Sequence, residues 1–244
     1  ISSNPFVSAD FGFSDFFSNF VEFTDTFPSS TIKQFPGGNT LLAKLLDYKE
    51  SYNLWDTYWD SIQAELDNES VDYLWIFLMD THHPYFVPNE YRSQSLYKMF
   101  FSNIILHRKP ELFDYNSNLR DWLLTSYSDA VSYVDSFFKK LLTNIDSNDI
   151  LIIHSDHGET FGEYGIYGHK NQLYEENIHV PFLIYGLEDN LTVSKPISLL
   201  ELPNIIKDLI TKADISFDDY TDEVVPTTNG TNHKLWGENG DVYS

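Results

Sequence analysis

Three short apolar runs, each stopping at a polar or glycine-bearing cluster, constrain this chain more than any other feature. Tyr73-Leu74-Trp75-Ile76-Phe77-Leu78-Met79 ends at Asp80, Ile150-Leu151-Ile152-Ile153 ends at His154, and Val180-Pro181-Phe182-Leu183-Ile184-Tyr185 ends at Gly186. Continuous apolar runs of this length read as strands buried on both faces. Between the first two lies a helical stripe over about 121–145, in which Ala130, Val131, Val134, Phe137, Phe138, Leu141, Leu142 and Ile145 recur at three- and four-residue spacing. Further helical patterns cover about 39–48, 54–66 and 199–212, the last with Pro203 in its first turn, where proline is tolerated. Apolar strands alternating with amphipathic helices predict an α/β fold with a mixed, largely parallel sheet sandwiched by helices.

Charge narrows the function. With 15 basic and 37 acidic residues, the 244-residue chain carries a formal net charge of −22. Phosphate recognition draws on Lys and Arg, so nucleic acid is excluded as an expected partner. A hydrophobic share of 42% supplies a core and excludes global disorder. No apolar run approaches the ~18–20 residues that span a bilayer, so no membrane segment is expected. The chain has no cysteine, which removes disulfides, thiolate metal ligands and a Cys nucleophile from these residues. It begins at Ile1 with no basic and apolar leader pattern, which leaves the compartment open between cytoplasmic and exported. We expect one partial catalytic domain over 1–244, with a loop-rich connecting segment at 1–39 and a polar tail at 214–244 that ends as though cut. Asn-x-Ser/Thr tripeptides at Asn68, Asn190 and Asn229 are assigned no function.

The candidate chemistry gathers after the strands, where open α/β sheets place their ligands. Asp156 and His157 follow the second apolar run, and Gly158 permits a sharp turn that lets neighbouring side chains converge on one ion. A carboxylate with an imidazole suits a divalent cation, although Asp156 could equally cap the turn that follows. The next residues carry Gly158, Gly162, Gly165 and Gly168 together with Glu159, Glu163, His169 and Lys170. Such glycine density fits a backbone that approaches a ligand closely. Lys170 reads either as a salt-bridge partner or as a point charge on a sulfate or phosphate oxygen. After the first run come Thr81-His82-His83-Pro84-Tyr85, where Pro84 favours an extended His83. Adjacent extended side chains point opposite ways, so one histidine of the pair faces a site and the other packs.

These segments resemble a family. Ser155-Asp156-His157-Gly158-Glu159, Gly162-Glu163-Tyr164-Gly165, Tyr167-Gly168-His169-Lys170, Leu173-Tyr174-Glu175-Glu176 and Ile178-His179-Val180-Pro181 look like the C-terminal half of a sulfatase of the alkaline phosphatase-like superfamily. Asp80-Thr81-His82-His83-Pro84-Tyr85 is similar to that family's Thr-His-x-Pro segment, and the likeness covers roughly 1–212. The resemblance implies that Asp156 and His157 bind a divalent metal, most often Ca²⁺ in sulfatases, or Mn²⁺ or Zn²⁺ in a phosphoryl relative. It implies that Lys170 contacts the sulfate group and that His82 contacts the ester and assists the leaving group. His169, next to Lys170, is grouped with the substrate-binding residues. The implied function is metal-dependent hydrolysis of a sulfuric ester. Alternatives are a phosphodiester or phosphonate hydrolase, a phosphoethanolamine-type transferase, or a non-catalytic metal-binding domain. The family takes its formylglycine nucleophile and two more acidic ligands from an N-terminal segment that has no counterpart here, so this fragment alone is expected to be inactive.

Overall fold

The computed structural model describes residues 1–23, 53–169, 172–188, 190–212, 215–228, 232–237 and 242–243. The expected helix at 39–48, Lys170 and Asn229 lie outside the described residues. The chain divides into two compact units, Ile1–Asp146 and Ser147–Ser244.

The first unit is helical. After a short 3-10 turn at Trp55–Thr57 come α1 (Trp59–Leu66), α2 (Leu96–Arg108) and α3 (Ser117–Leu141). Asn116 caps α3 by accepting from the Asn118 amide at 3.1 Å, and Lys139 and Lys140 close its last turn, where the helix dipole favours cations. Its buried face is Leu119, Leu123, Ser126, Ala130, Tyr133, Phe137 and Leu141. The predicted stripe is thus rotated, because Tyr133 turns inward while Val131 and Leu142 lie exposed. Tyr133 stacks on Trp55 at 5.3 Å, and the Trp55 indole N–H donates to the Tyr133 carbonyl oxygen at 3.2 Å. Lys140 Nζ lies 4.1 Å from the Trp59 ring centroid, a cation–π contact that joins the end of α3 to α1. The α2 helix is capped by Ser95, whose hydroxyl accepts from the Lys98 amide. Sequence periodicity did not single it out, because its apolar residues are spread around the helix and only Met99, Ser102 and Asn103 are buried.

The run 73–79 is not a strand buried on both faces. It is extended and mostly half-buried, and among the described residues it pairs through an isolated parallel bridge between Phe77 and Ser2. The Phe77 amide donates to Ile1 O at 2.9 Å, and the Ser3 amide donates to Phe77 O at 3.1 Å. Ser2 makes a second parallel bridge with Glu22. A ladder needs several residues on each side, and these contacts stop after one rung.

The second unit holds β1 (Leu151–His154) and β2 (Phe182–Tyr185), close to the expected positions, but they run antiparallel, with Leu151 opposite Tyr185 and His154 opposite Phe182. Among the described residues no largely parallel sheet is seen, the parallel pairing being the isolated bridges at Ser2. A parallel return needs a crossover of a dozen or more residues, usually a helix. The helix described between β1 and β2 is the single turn α4 (Glu175–Ile178), and the chain comes back alongside itself. The pair also lacks a second cover, since Leu183 and Tyr185 are exposed. Gly186, at φ 96°, follows β2 at a position where a β-carbon would overlap the Asp149 carbonyl oxygen. Next come α5 (Leu202–Thr211), with Pro203 in its first turn as expected, and an antiparallel group of β3 (Val224–Thr228), β4 (His233–Gly237) and β5 (Val242–Tyr243). The tail therefore contains strands that its polar composition concealed. Among the described residues, no helix is long and apolar enough to cross a membrane.

Candidate functional site

β1 delivers Asp156 and His157 onto the loop beyond His154. Gly158 donates its amide to Asn177 O at 2.8 Å, and a β-carbon there would overlap the Glu176 carbonyl oxygen, so only glycine lets the loop meet α4 this closely. The Asp156 carboxylate is exposed, and His157 is partly so. Asp156 Oδ1 accepts the His157 amide at 3.0 Å and lies 3.9 Å from His157 Nε2. His157 Nδ1 lies 2.8 Å from the Gly158 carbonyl oxygen. A carbonyl can only accept, so Nδ1 carries the proton and Nε2 keeps the lone pair that a metal takes.

A carboxylate and a lone-pair nitrogen 3.9 Å apart form part of a donor set for a divalent cation. Gln172 Oε1, Glu176 Oε2 and Asn177 Oδ1 are buried without a hydrogen-bond partner among the described residues. Among the described residues, no three His, Asp or Glu side chains come together as a metal-holding group.

His169 is brought to this pair. Its ring lies 4.0 Å from that of His157, centroid to centroid, and its Nδ1 is 3.2 Å from Glu159 Oε1. The link is a small hairpin in which the Gly168 amide donates to Thr160 O at 2.9 Å, the Thr160 hydroxyl donates to Gly168 O at 2.5 Å, and Phe161 bridges Tyr167. The sequence marks Glu159 as part of this loop but assigns it no partner. The signal available in the sequence was its ten-residue offset from His169 across a glycine-bounded loop.

In the first unit, His82 is half-buried, with Nδ1 2.6 Å from the His83 carbonyl oxygen. His83 packs. Its Nε2 meets the Asn103 carbonyl oxygen at 3.1 Å, and its ring contacts Tyr85 edge-on and stacks with His107 at 6.4 Å. Sequence reading missed Asn103, a fully buried residue of α2 whose Oδ1 accepts the Tyr85 amide at 2.8 Å and whose Nδ2 donates to Met99 O at 2.7 Å. It also missed Asp80, fully buried at the root of the His82 turn. Asp80 Oδ1 accepts the Trp55 amide at 3.0 Å, and Oδ2 has no hydrogen-bond partner among the described residues. Burial pushes its carboxyl up to about 7, with the Trp55 amide opposing and Asp56 adding to the rise. Burial, then the charges of Asp80 and Asp56, also raises Tyr133 far above the ordinary phenol range.

A family model described as Sulfatase matches residues 4–228. The chain belongs to the sulfatase family. No curated protein matches it. The matched span takes in His82, Asp156, His157 and His169, and it runs beyond residue 212 into β3. Membership in the sulfatase family carries an alkaline phosphatase-like α/β fold, hydrolase activity on sulfate esters at the level of the family, and general use of a divalent metal.

Proposed function

We propose that this chain serves metal-dependent hydrolysis of a sulfuric ester, with Asp156 and His157 as two ligands of a divalent cation, Ca²⁺ by preference. The supporting observation is the state of His157: Nδ1 is engaged by the Gly158 carbonyl, which leaves Nε2 as a lone-pair donor 3.9 Å from an exposed carboxylate oxygen. When bound, the metal neutralises charge on the ester oxygens as a Lewis acid. Asp156 supplies the hard oxygen, and its bond to the His157 amide fixes the turn. Glu159 holds His169 through Nδ1, and His169 is assigned to substrate binding. His82 is assigned to the leaving group. With Nδ1 bound to the His83 carbonyl, a proton passed to the departing oxygen leaves from Nε2. Lys170 is assigned to the sulfate group as a point charge. No described residue is assigned as the nucleophile.

The test is substrate choice by the full-length polypeptide, comparing aryl and sugar sulfates with the matching phosphomonoesters and phosphodiesters under Ca²⁺, Mn²⁺ or Zn²⁺. Sulfate release with Ca²⁺, reduced at least ~100-fold by His82→Ala, is expected for general acid loss. Turnover of phosphoesters alone would replace the reading with that of a phosphoryl relative.

A further inference from the structure

His82 rides a short excursion between two buried stretches of chain. Met79 and Asp80 are buried, Thr81 is exposed, His82 and His83 are half-buried, and the chain is buried again over 84–88. The excursion is closed at its start by the His82 amide, which donates to the Met79 carbonyl oxygen at 2.9 Å. At its far end Asn103 of α2 holds it, with its carbonyl oxygen 3.1 Å from His83 Nε2 and its Oδ1 accepting the Tyr85 amide at 2.8 Å.

On the near side the anchor is Asp80. The residue is wholly buried, and its Oδ1 accepts the Trp55 amide at 3.0 Å. Trp55 is itself fixed: its indole N–H donates to the Tyr133 carbonyl oxygen at 3.2 Å, and its ring stacks on Tyr133 and meets Phe137 edge-on at 5.6 Å. One carboxyl oxygen thus ties the root of the His82 excursion to a tryptophan locked against α3. The other, Oδ2, has no hydrogen-bond partner among the described residues. A half-matched carboxyl in a core is costly where an apolar residue would pack, and departures of this kind are expected where a functional group is held in place.

We infer that Asp80 is a positioning residue for His82: its bond to the Trp55 amide sets where the His82 turn stands, and so how well that imidazole meets the leaving oxygen of the ester. The inference deepens the proposed sulfuric ester hydrolysis and rests on the assignment of His82 to the leaving group. Proton donation matters more as the departing oxygen becomes more basic. A displacement of about 1 Å at a reacting group costs on the order of 100-fold in rate. Loss of the Asp80 anchor therefore falls hardest on esters with the most basic leaving oxygen, whereas a general weakening of the fold falls on all esters alike.

The experiment measures kcat/KM of the full-length polypeptide for 4-nitrophenyl sulfate and for phenyl sulfate, whose departing phenoxide is the more basic, and reads the ratio of the two losses relative to wild type. His82→Ala is expected to lose about 10-fold or more on phenyl sulfate beyond its loss on 4-nitrophenyl sulfate. Asp80→Ala, and Asp80→Val, which fills more of the space left by the carboxyl, are expected to shift the ratio the same way by about 3- to 10-fold. Asp80→Asn keeps an oxygen for the Trp55 amide and retains the wild-type ratio. In a His82→Ala background Asp80→Ala shifts the ratio no further, because its effect passes through that imidazole. A shift in His82→Ala with equal losses on both esters in Asp80→Ala and Asp80→Val overturns the positioning role and leaves Asp80 a support of the fold. A shift in Asp80→Asn as large as that in Asp80→Ala, or a further shift in the double variant, overturns it too. Equal losses on both esters in His82→Ala, or no turnover of either ester by wild type, reject the leaving-group assignment itself, and the inference falls with it.

Discussion

The imidazoles of His157 and His169 lie 4.0 Å apart, centroid to centroid, while His169 Nδ1 sits 3.2 Å from Glu159 Oε1. One ring backs the other, and a carboxylate holds the backing ring. Groups that orient a metal-binding imidazole commonly matter to affinity about 10- to 100-fold. We therefore predict that His169→Ala weakens Ca²⁺ binding by about 10-fold or more in a calorimetric titration of the full-length protein. Affinity equal to wild type would remove His169 from the support of His157.

The loop tolerates no β-carbon at Gly158, because that atom would occupy the place of the Glu176 carbonyl oxygen. Gly158→Ala must push α4 away or shift the Asp156-His157 turn. Overpacking of this kind costs about 1–3 kcal/mol or more. Urea unfolding should show that loss, together with weaker divalent-ion binding. Gly165→Ala is the control, since a β-carbon there meets nothing within 4 Å and only the cost of its φ of 70° remains.

Asp80 predicts a pH dependence. Its folded carboxyl titrates at about 7 against an ordinary 3.8, chiefly because it is buried. The folded chain therefore keeps a proton that the unfolded chain releases above about pH 4. Stability from this group is fully present below that pH and is lost as the pH rises towards 7, by on the order of 4 kcal/mol at most. Asp80→Asn keeps an oxygen for the Trp55 amide and carries no charge. Unfolding midpoints at pH 5 and pH 8 should differ less in this variant than in wild type, with the variant the more stable at pH 8. Parallel pH profiles would contradict the burial account.

Asn103 ties α2 to the segment that follows His82 through its side-chain oxygen and its backbone carbonyl, while its side-chain nitrogen donates within the helix to Met99 O. Asn103→Ala leaves the Tyr85 amide buried and unpaired, at a cost of about 1–3 kcal/mol. Asn103→Asp, which keeps an acceptor for Tyr85 and loses a donor to Met99, should cost less at acid pH than at neutral pH. Thermal melts of the two variants test this ordering.

Legibility of the sequence followed the range of the interactions. β1 and β2 were visible because a four-residue apolar run with polar ends is a local signal, and so was the turn at Gly158 that presents Asp156 and His157. Their antiparallel pairing was hidden, because it depends on what the residues between them do, and the described ones hold a 3-10 turn at Glu163–Gly165 and a single α-helical turn at Glu175–Ile178. Tyr73–Met79 reads as a strand from composition, yet pairing needs a partner, and the described partner is the single rung at Ser2. The α2 helix escaped notice because its buried face is made by Met99, Ser102 and Asn103, of which only one is apolar. Asn103, Asp80 and Glu159 owe their roles to contacts 18, 25 and 10 residues away, which no local pattern reports.

The most direct test of the central claim is sulfate release from 4-nitrophenyl sulfate and a monosaccharide sulfate by the full-length polypeptide, measured across a Ca²⁺ titration for wild type and Asp156→Ala. The account predicts saturable dependence on Ca²⁺ in wild type, with turnover abolished by chelation and at least ~100-fold lower in Asp156→Ala at the same Ca²⁺ concentration. Turnover in Asp156→Ala equal to wild type, or activity in wild type indifferent to chelation, would contradict the assignment of Asp156 and His157 to a catalytic metal.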